Sequence, residues 1–132
     1  MLTDDLRLSP LFAGLTDSEL ERVAGMVEEK RVVRGAVLAR EGEFAYHLVI
    51  VAEGTAEVLI DGETVRTLQA GDTFGEIGVV ERGRRTADVM ATSPMRLLTM
   101  RIWSFNKLAD EIPEFGARAR DLARGRREPT EG

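Results

Sequence analysis

The sequence predicts a mainly β protein, an antiparallel sandwich or barrel with a helix before it and helices after it. Helical periodicity is confined to the two ends of the chain. Between residues 31 and 101, short runs of Val, Ile, Leu and Thr alternate with glycine-containing breaks, the spacing typical of antiparallel all-β folds. An Asp-Gly pair between two of these runs marks a hairpin. This order of elements indicates an all-β core with helices packed at its ends.

The N-terminal helix is predicted over residues 17–29. Thr16 can accept a hydrogen bond from the first turn, and Glu19 three residues later completes a capping box. Apolar residues then recur at helical spacing up to Val27. Upstream, Ser9 and Pro10 indicate a turn after a short lead-in helix that includes Leu6.

Four strand predictions are specific. Residues 56–60 and 63–68 flank Asp61-Gly62, whose residues tolerate the positive φ of a type I′ turn. Further strands are predicted over 86–92 and 95–101, with Ser93-Pro94 at the corner between them.

Helical patterning returns after Ile102. Ser104 is predicted to cap a short helix, which Trp103 and Phe105 anchor to the β core. Pro113 suits the first turn of a further helix. The apolar stripe of that helix consists of Phe115, Ala119 and Leu122. We expect it to have one of three roles: to pack on the core, to cover a ligand or to form a dimer interface.

Length and composition limit the possible functions. The 132 residues fit one domain over 1–132, with a core at about 8–124 and a charged, flexible tail at 125–132. The net charge of −5 argues against a nucleic-acid-binding protein, and the arginines near the C-terminus are predicted to be a solvated helix end. The absence of cysteine, of a membrane-length apolar run and of a signal sequence suits a cytoplasmic protein.

Catalysis is not predicted. His47, the only histidine, lies in an apolar strand and is expected to be structural. One histidine cannot supply the several imidazoles of a cupin-type metal site, and no nucleophile elbow is present. We therefore expect neither a metal nor a cofactor.

The informative segment runs from Phe74 to Val89 and interrupts the strands with close glycines and an arginine pair. Glycine lets the backbone approach a ligand closely. Amide groups at a helix start near Glu76 favour an anion, and an arginine gives a charge-assisted grip on phosphate. A glutamate accepts hydrogen bonds from a hydroxyl but repels free phosphate. Together they suit a ligand with one anionic end and one hydroxyl end.

At these residues the chain resembles the cyclic nucleotide-binding domain family, which includes catabolite activator proteins and regulatory subunits of protein kinase A. The family cassette, Phe-Gly-Glu-Leu-Ala-Leu followed by Pro-Arg-Thr/Ser/Ala-Ala, is matched by residues 74–79 and 84–87 without insertion or deletion. The glycines at 42, 54, 62 and 71 fall in the family register. The resemblance covers about residues 8–124.

The resemblance implies an eight-stranded β-roll with an N-terminal helix and with C-terminal helices that move over the ligand. Arg85 would pair with the cyclic phosphate and Glu76 with the ribose 2′-hydroxyl. The rest of the ligand site would be formed by Phe74, Gly75, Ile77, Gly78, Thr86 and Ala87. The expected ligand is cAMP, with cGMP left open. The output would pass to a homodimer through the C-terminal helix, to an effector protein or to a longer natural chain.

Two positions depart from the family pattern. Arg84 replaces the usual proline and removes a constraint on the loop, and Tyr46 stands where the family often has Asp. The first departure supports an alternative, a ligand-free interaction domain that keeps the fold. A metal-using β-barrel enzyme is the third hypothesis.

Overall fold

A computed structural model describes residues 2–43, 46–75 and 87–131, the last nine of these as backbone only. Helices occupy both ends of the chain, as the sequence predicts. Those before the strands are α1 (Leu2–Arg7), a 3₁₀ turn (Pro10–Phe12) and α2 (Asp17–Ala24), and those after the strands are α3 (Ile102–Glu111) and α4 (Pro113–Glu131).

The described residues form eight strands in two antiparallel four-stranded sheets. The first sheet has the order β1-β8-β3-β6 and the second β2-β7-β4-β5. The strands are β1 (Val27–Val32), β2 (Val37–Ala39), β3 (His47–Glu53), β4 (Ala56–Ile60), β5 (Glu63–Leu68), β6 (Thr73–Phe74), β7 (Asp88–Ala91) and β8 (Met95–Arg101). Chain neighbours often lie in different sheets, which is the roll architecture that the sequence predicts.

Helix α2 begins as predicted and ends early. The Thr16 side chain accepts from the Glu19 amide, and the Glu19 carboxylate accepts from the Thr16 amide. The predicted end at Glu29 is wrong, because the helix stops at Ala24 with Gly25 as its C-cap. Residues 27–32 instead form β1, which pairs with β8 along its whole length. That tertiary ladder outweighs the local helical pattern.

The predicted hairpin between β4 and β5 is confirmed. Asp61 and Gly62 have φ values of 52° and 81°, the left-handed conformations that a type I′ turn requires at both positions. The two strands pair from Ala56 with Leu68 to Ile60 with Glu63, with an irregularity after Val58.

Strand β3 divides the core into two apolar clusters. Its even-numbered residues, Leu48, Ile50 and Ala52, pack with the helices in an outer cluster. The odd-numbered Val49 and Val51 pack between the two sheets in an inner cluster. Since side chains alternate across a strand, a strand that is buried on both faces is apolar throughout.

Helix α3 differs from its prediction at two residues. It begins at Ile102, and its N-cap, Arg101, makes no side-chain capping bond, so Ser104 lies inside the helix instead of capping it. Phe105 is buried as expected, whereas Trp103 is 60% exposed. Trp103 does not anchor the helix, because its position on the first turn faces solvent, where the Arg101 guanidinium lies 5.4 Å from the ring centroid.

Helix α4 starts at Pro113, as predicted, and docks through its apolar stripe. Phe115 and Ala119 are buried in the outer cluster and Leu122 packs against it. The Phe115 ring stacks on Phe12 with centroids 5.6 Å apart and meets Phe105 at 5.3 Å. The helix backbone continues to Glu131, through most of the segment expected as a flexible tail.

Candidate functional site

The predicted ligand-binding segment leaves the first sheet at the end of β6. This two-residue strand pairs with the centre of β3, Thr73 with Ile50 and Phe74 with Val49. Phe74 is buried in the inner cluster. Gly75 follows with φ of 90°, a conformation that residues with a Cβ rarely adopt. A residue with a left-handed backbone thus directly follows an inward-facing aromatic ring.

The segment enters the second sheet at Ala87. This half-buried residue precedes β7, which pairs with β2 on one side and β4 on the other. Val89 and Ala91 of β7 face the inner cluster, whereas Met90 is exposed. The ends of the predicted segment are thus fixed on different sheets, one at an edge strand and one at a central strand.

The structure places three of the eight predicted site residues, namely Phe74, Gly75 and Ala87. The other five, Glu76, Ile77, Gly78, Arg85 and Thr86, lie outside the described residues. Their roles remain predictions.

A further cation, Arg66, faces the space between the sheets. It lies opposite Val58 in the β4–β5 ladder, on the same strand face as the buried Leu68. Its guanidinium Nη2 is 3.5 Å from the carbonyl oxygen of Thr73, in the other sheet. Arg66 is therefore next to the point where the predicted segment begins. The sequence analysis missed it, although its two-residue spacing from Leu68 was the available signal.

The exit of the segment is tied to the turn after β2. The Glu41 amide donates to the Asp88 carboxylate, with 2.7 Å between nitrogen and oxygen. The turn itself closes through the Glu43 amide and the Arg40 carbonyl, 3.2 Å apart. Thus the carboxylate of Asp88, the residue that follows Ala87, bonds to this turn.

Two ion pairs attach the helices to the strands and to each other. Arg96 of β8 donates to both carboxylate oxygens of Asp5 at 2.9 Å and also to Glu53. These hydrogen bonds, that of Asp5 first, raise the pKa of Arg96 above its ordinary value. Between α2 and α3, a hydrogen bond from Arg22 lowers the pKa of Glu111.

The structure also places the single histidine of the sequence. His47 is exposed at the start of β3. Among the residues that the structure describes, no three histidine, aspartate or glutamate side chains are grouped so as to hold a metal ion. None of the described helices is long and apolar enough to cross a membrane.

Comparison with known proteins agrees with this geometry. The family model of the cyclic nucleotide-binding domain matches residues 29–111 of this chain. A regulatory subunit of cAMP-dependent protein kinase from Colletotrichum orbiculare is 28% identical over 114 residues, 85% of this chain and 29% of the relative. A cGMP-dependent protein kinase from Eimeria tenella is 30% identical over 93 residues, 70% of this chain and 9% of the relative.

A solved structure shares the architecture. The regulatory domain of Toxoplasma gondii protein kinase A, crystallised with cAMP, superposes with a TM-score of 0.83 at 25% identity. The match covers 97% of this chain and 49% of that one. The fold is thus the β-roll of cyclic nucleotide-binding domains. The chain belongs to the cyclic nucleotide-binding domain family, and it spans less than a third of the curated relatives described above.

Proposed function

We propose that this chain is a regulatory module that binds a cyclic purine nucleotide between its two sheets and catalyses no reaction. The observation that carries the proposal is the placement of the cassette ends. Residue 75 leaves the first sheet in a left-handed conformation, and residue 87 enters the second sheet beside β2 and β4. Because its two ends are fixed on different sheets, the cassette would meet a small anion between the sheets.

The register with the family cassette favours Arg85 over Arg84 as the phosphate ligand, because Arg85 stands at the position of the cassette arginine and Arg84 at the position of its proline. A guanidinium there would pair with two phosphate oxygens at once.

The remaining cassette residues would complete the nucleotide contact. Glu76, directly after Gly75, would accept a hydrogen bond from the ribose 2′-hydroxyl. Backbone groups of Ile77 and Gly78 and the residues Thr86 and Ala87 would surround the phosphate. The purine would then lie against the apolar residues of the inner cluster.

The expected nucleotide is cAMP, and Arg66 supports cGMP as a second candidate. Support for cAMP comes from relatives, since the matched Toxoplasma structure contains cAMP. Support for cGMP comes from this chain, because an arginine can donate two hydrogen bonds to the O6 and N7 acceptors of guanine, whereas adenine presents a donor at position 6. The inward position of Arg66 makes such a contact geometrically reasonable.

The output would travel through the helices. Strand β3 contributes one face to the ligand side of the roll and the other to the cluster that holds α3 and α4. A nucleotide that binds one arrangement of these helices more tightly would shift the population toward it. The receiver would be a second copy, an effector protein or a further part of a longer chain.

Isothermal titration calorimetry of both nucleotides tests the proposal. We expect Arg85→Ala to weaken binding by about 2–5 kcal/mol, since the buried phosphate loses its counter-ion. Arg84→Ala is the matched control and should retain most of the affinity. The variant Arg66→Ala should weaken cGMP more than cAMP if the guanine contact exists, and should leave their ratio unchanged if it does not.

The outcomes separate the alternatives. Wild-type protein that binds neither nucleotide would reject the proposal in favour of the ligand-free interaction domain. Equal losses in Arg84→Ala and Arg85→Ala would reject the assignment of the phosphate contact. A metal found by elemental analysis, together with turnover of a substrate, would favour the enzyme hypothesis.

A further inference from the structure

The hydrogen bond between Asp88 and Glu41 connects two parts of the chain that the sheet itself leaves unconnected. Strand β2 pairs with β7 only through Val37 with Met90 and Ala39 with Val89, with a register irregularity between them. No further β2 residue continues the ladder. The next contact is made by the side chain of Asp88, which accepts the Glu41 amide at 2.7 Å. The side chain of Asp88 thus connects β7 to the turn after β2 beyond the point where main-chain pairing ends.

The turn after β2 is built to present this amide. Its own hydrogen bond joins the Glu43 amide to the Arg40 carbonyl. Gly42 has φ of 88°, which is the geometry of the third residue in a type II turn. The turn's closing bond does not use the Glu41 N–H, which is therefore available to an acceptor outside the turn. A carboxylate is a stronger acceptor than a carbonyl, so the bond is charge-assisted.

Asp88 also occupies a particular place in the chain. It directly follows Ala87, the last predicted residue of the ligand-binding segment, and it pairs with Leu59 of β4. The start of β7 is thus held by the ladder with β4 and by the carboxylate bond to the turn after β2. Without that bond, the exit of the segment would be fixed by the pairing of Asp88 with Leu59 and of Val89 with Ala39.

We propose that Asp88 is a positioning residue for nucleotide binding. Its carboxylate holds the Arg40–Glu43 turn against the start of β7 and thereby sets the position from which the residues before Ala87 reach the ligand. This inference rests on the proposed function. It assigns no ligand contact to Asp88 itself.

The negative charge of Asp88 allows two mechanisms to be distinguished by the direction in which nucleotide affinity changes. Asp88 is an acidic group close to a segment predicted to bind a phosphate. If it acted only through its charge, its removal would strengthen binding of the anionic nucleotide, because a repulsion would be lost. If it acts by positioning, its removal weakens binding. The two mechanisms therefore predict opposite changes in affinity.

The test compares Asp88→Ala with a matched variant at the opposite end of β7. There the Ser93 hydroxyl accepts from the Thr55 amide at 2.9 Å and donates to the Pro94 carbonyl at 2.9 Å, so Ser93→Ala also removes hydrogen bonds between a side chain and the backbone. By calorimetry with cAMP and cGMP, we expect Asp88→Ala to lose about tenfold in affinity, which equals about 1.4 kcal/mol. Ser93→Ala should bind like the wild type. Asp88→Asn, which keeps an acceptor oxygen without the charge, should regain most of the loss.

Hydrogen exchange without nucleotide provides an independent readout. Asp88→Ala should lose amide protection at Glu41 and at the start of β7, and Ser93→Ala should lose it at Thr55 only. Unchanged or increased nucleotide affinity in Asp88→Ala, with a wild type that binds, would overturn the positioning role. Absence of binding in the wild type would overturn the proposed function and the inference with it, whatever the exchange data show.

Discussion

The docking of helix α4 depends on one aromatic side chain, Phe115. Its ring is 1% exposed and lies between two other phenylalanines, stacked on Phe12 and tilted against Phe105. The three rings come from the N-terminal 3₁₀ turn, α3 and α4, so this contact joins the helices that precede the strands in the chain to those that follow them. We predict that Phe115→Ala is among the most destabilising single substitutions in the chain.

The expected cost follows from burial and geometry. Truncating a fully buried phenylalanine to alanine costs about 3–5 kcal/mol. Each aromatic pair contributes about 0.5–1.5 kcal/mol beyond its buried area, so the two pairs of Phe115 account for about 1–3 kcal/mol of that loss. Phe115→Leu keeps most of the apolar volume and loses the ring contacts, and it should cost roughly this smaller amount.

Urea unfolding measures both variants, and Trp103→Ala is the control. Trp103 is the larger aromatic residue on the same group of helices, but it is 60% exposed and contacts Arg101 in a cation–π arrangement. That contact is worth about 0.5–1 kcal/mol at an exposed site. If Trp103→Ala destabilised the protein as much as Phe115→Ala, burial would not be what docks these helices, and the reasoning would be refuted.

Three further predictions concern the ion pairs and the ligand. Because the Arg22 hydrogen bond lowers the pKa of Glu111 from 4.5, the pair stabilises the fold above that pH and loses this effect as pH falls through the lowered value. Glu111→Gln should therefore unfold at lower urea concentration than the wild type at pH 7, and a difference that did not shrink as the pH falls below 4.5 would contradict this. Asp5→Ala, which leaves the half-buried Arg96 guanidinium without its bidentate partner, should cost about 1–3 kcal/mol in urea unfolding. Arg7→Ala, at an exposed pair, should cost less than about 1 kcal/mol. Equal losses of stability in Asp5→Ala and Arg7→Ala would contradict the role of burial. Nucleotide at about 100 times its dissociation constant should add about 2.7 kcal/mol of stability, and an unchanged melting temperature with both nucleotides would speak against binding.

The elements whose local signals agree with their tertiary environment could be predicted from the sequence. The Asp61-Gly62 hairpin and the Thr16 cap depend on side-chain and backbone chemistry within a few residues, and both are confirmed. The stripe that begins with Phe115 was predicted because helical periodicity identifies a buried face. Its location was left open, because periodicity does not say which surface covers that face.

The elements that were missed depend on distant partners. Residues 27–29 continue a helical pattern, but the ladder between β1 and β8 assigns them to a strand. Trp103 was expected inside because it is large and apolar, although its place on the first turn of α3 leaves it exposed. Arg66 was not considered, because an arginine in a strand is ordinarily a surface residue. Its inward position is indicated only by its two-residue spacing from the buried Leu68, because alternate residues of a strand face the same side.

If a nucleotide binds as proposed, strand β3 would connect its site to the helices. Val49 and Val51 belong to the inner cluster, and the intervening Ile50 belongs to the outer cluster with Phe115. Strand β6, which begins the predicted ligand-binding segment, pairs with Val49 and Ile50. A shift of β6 would therefore act on a strand whose opposite face supports the helices. Because packed interiors resist continuous deformation, such a shift would favour one discrete helix arrangement over another, and this is the behaviour that a nucleotide sensor requires.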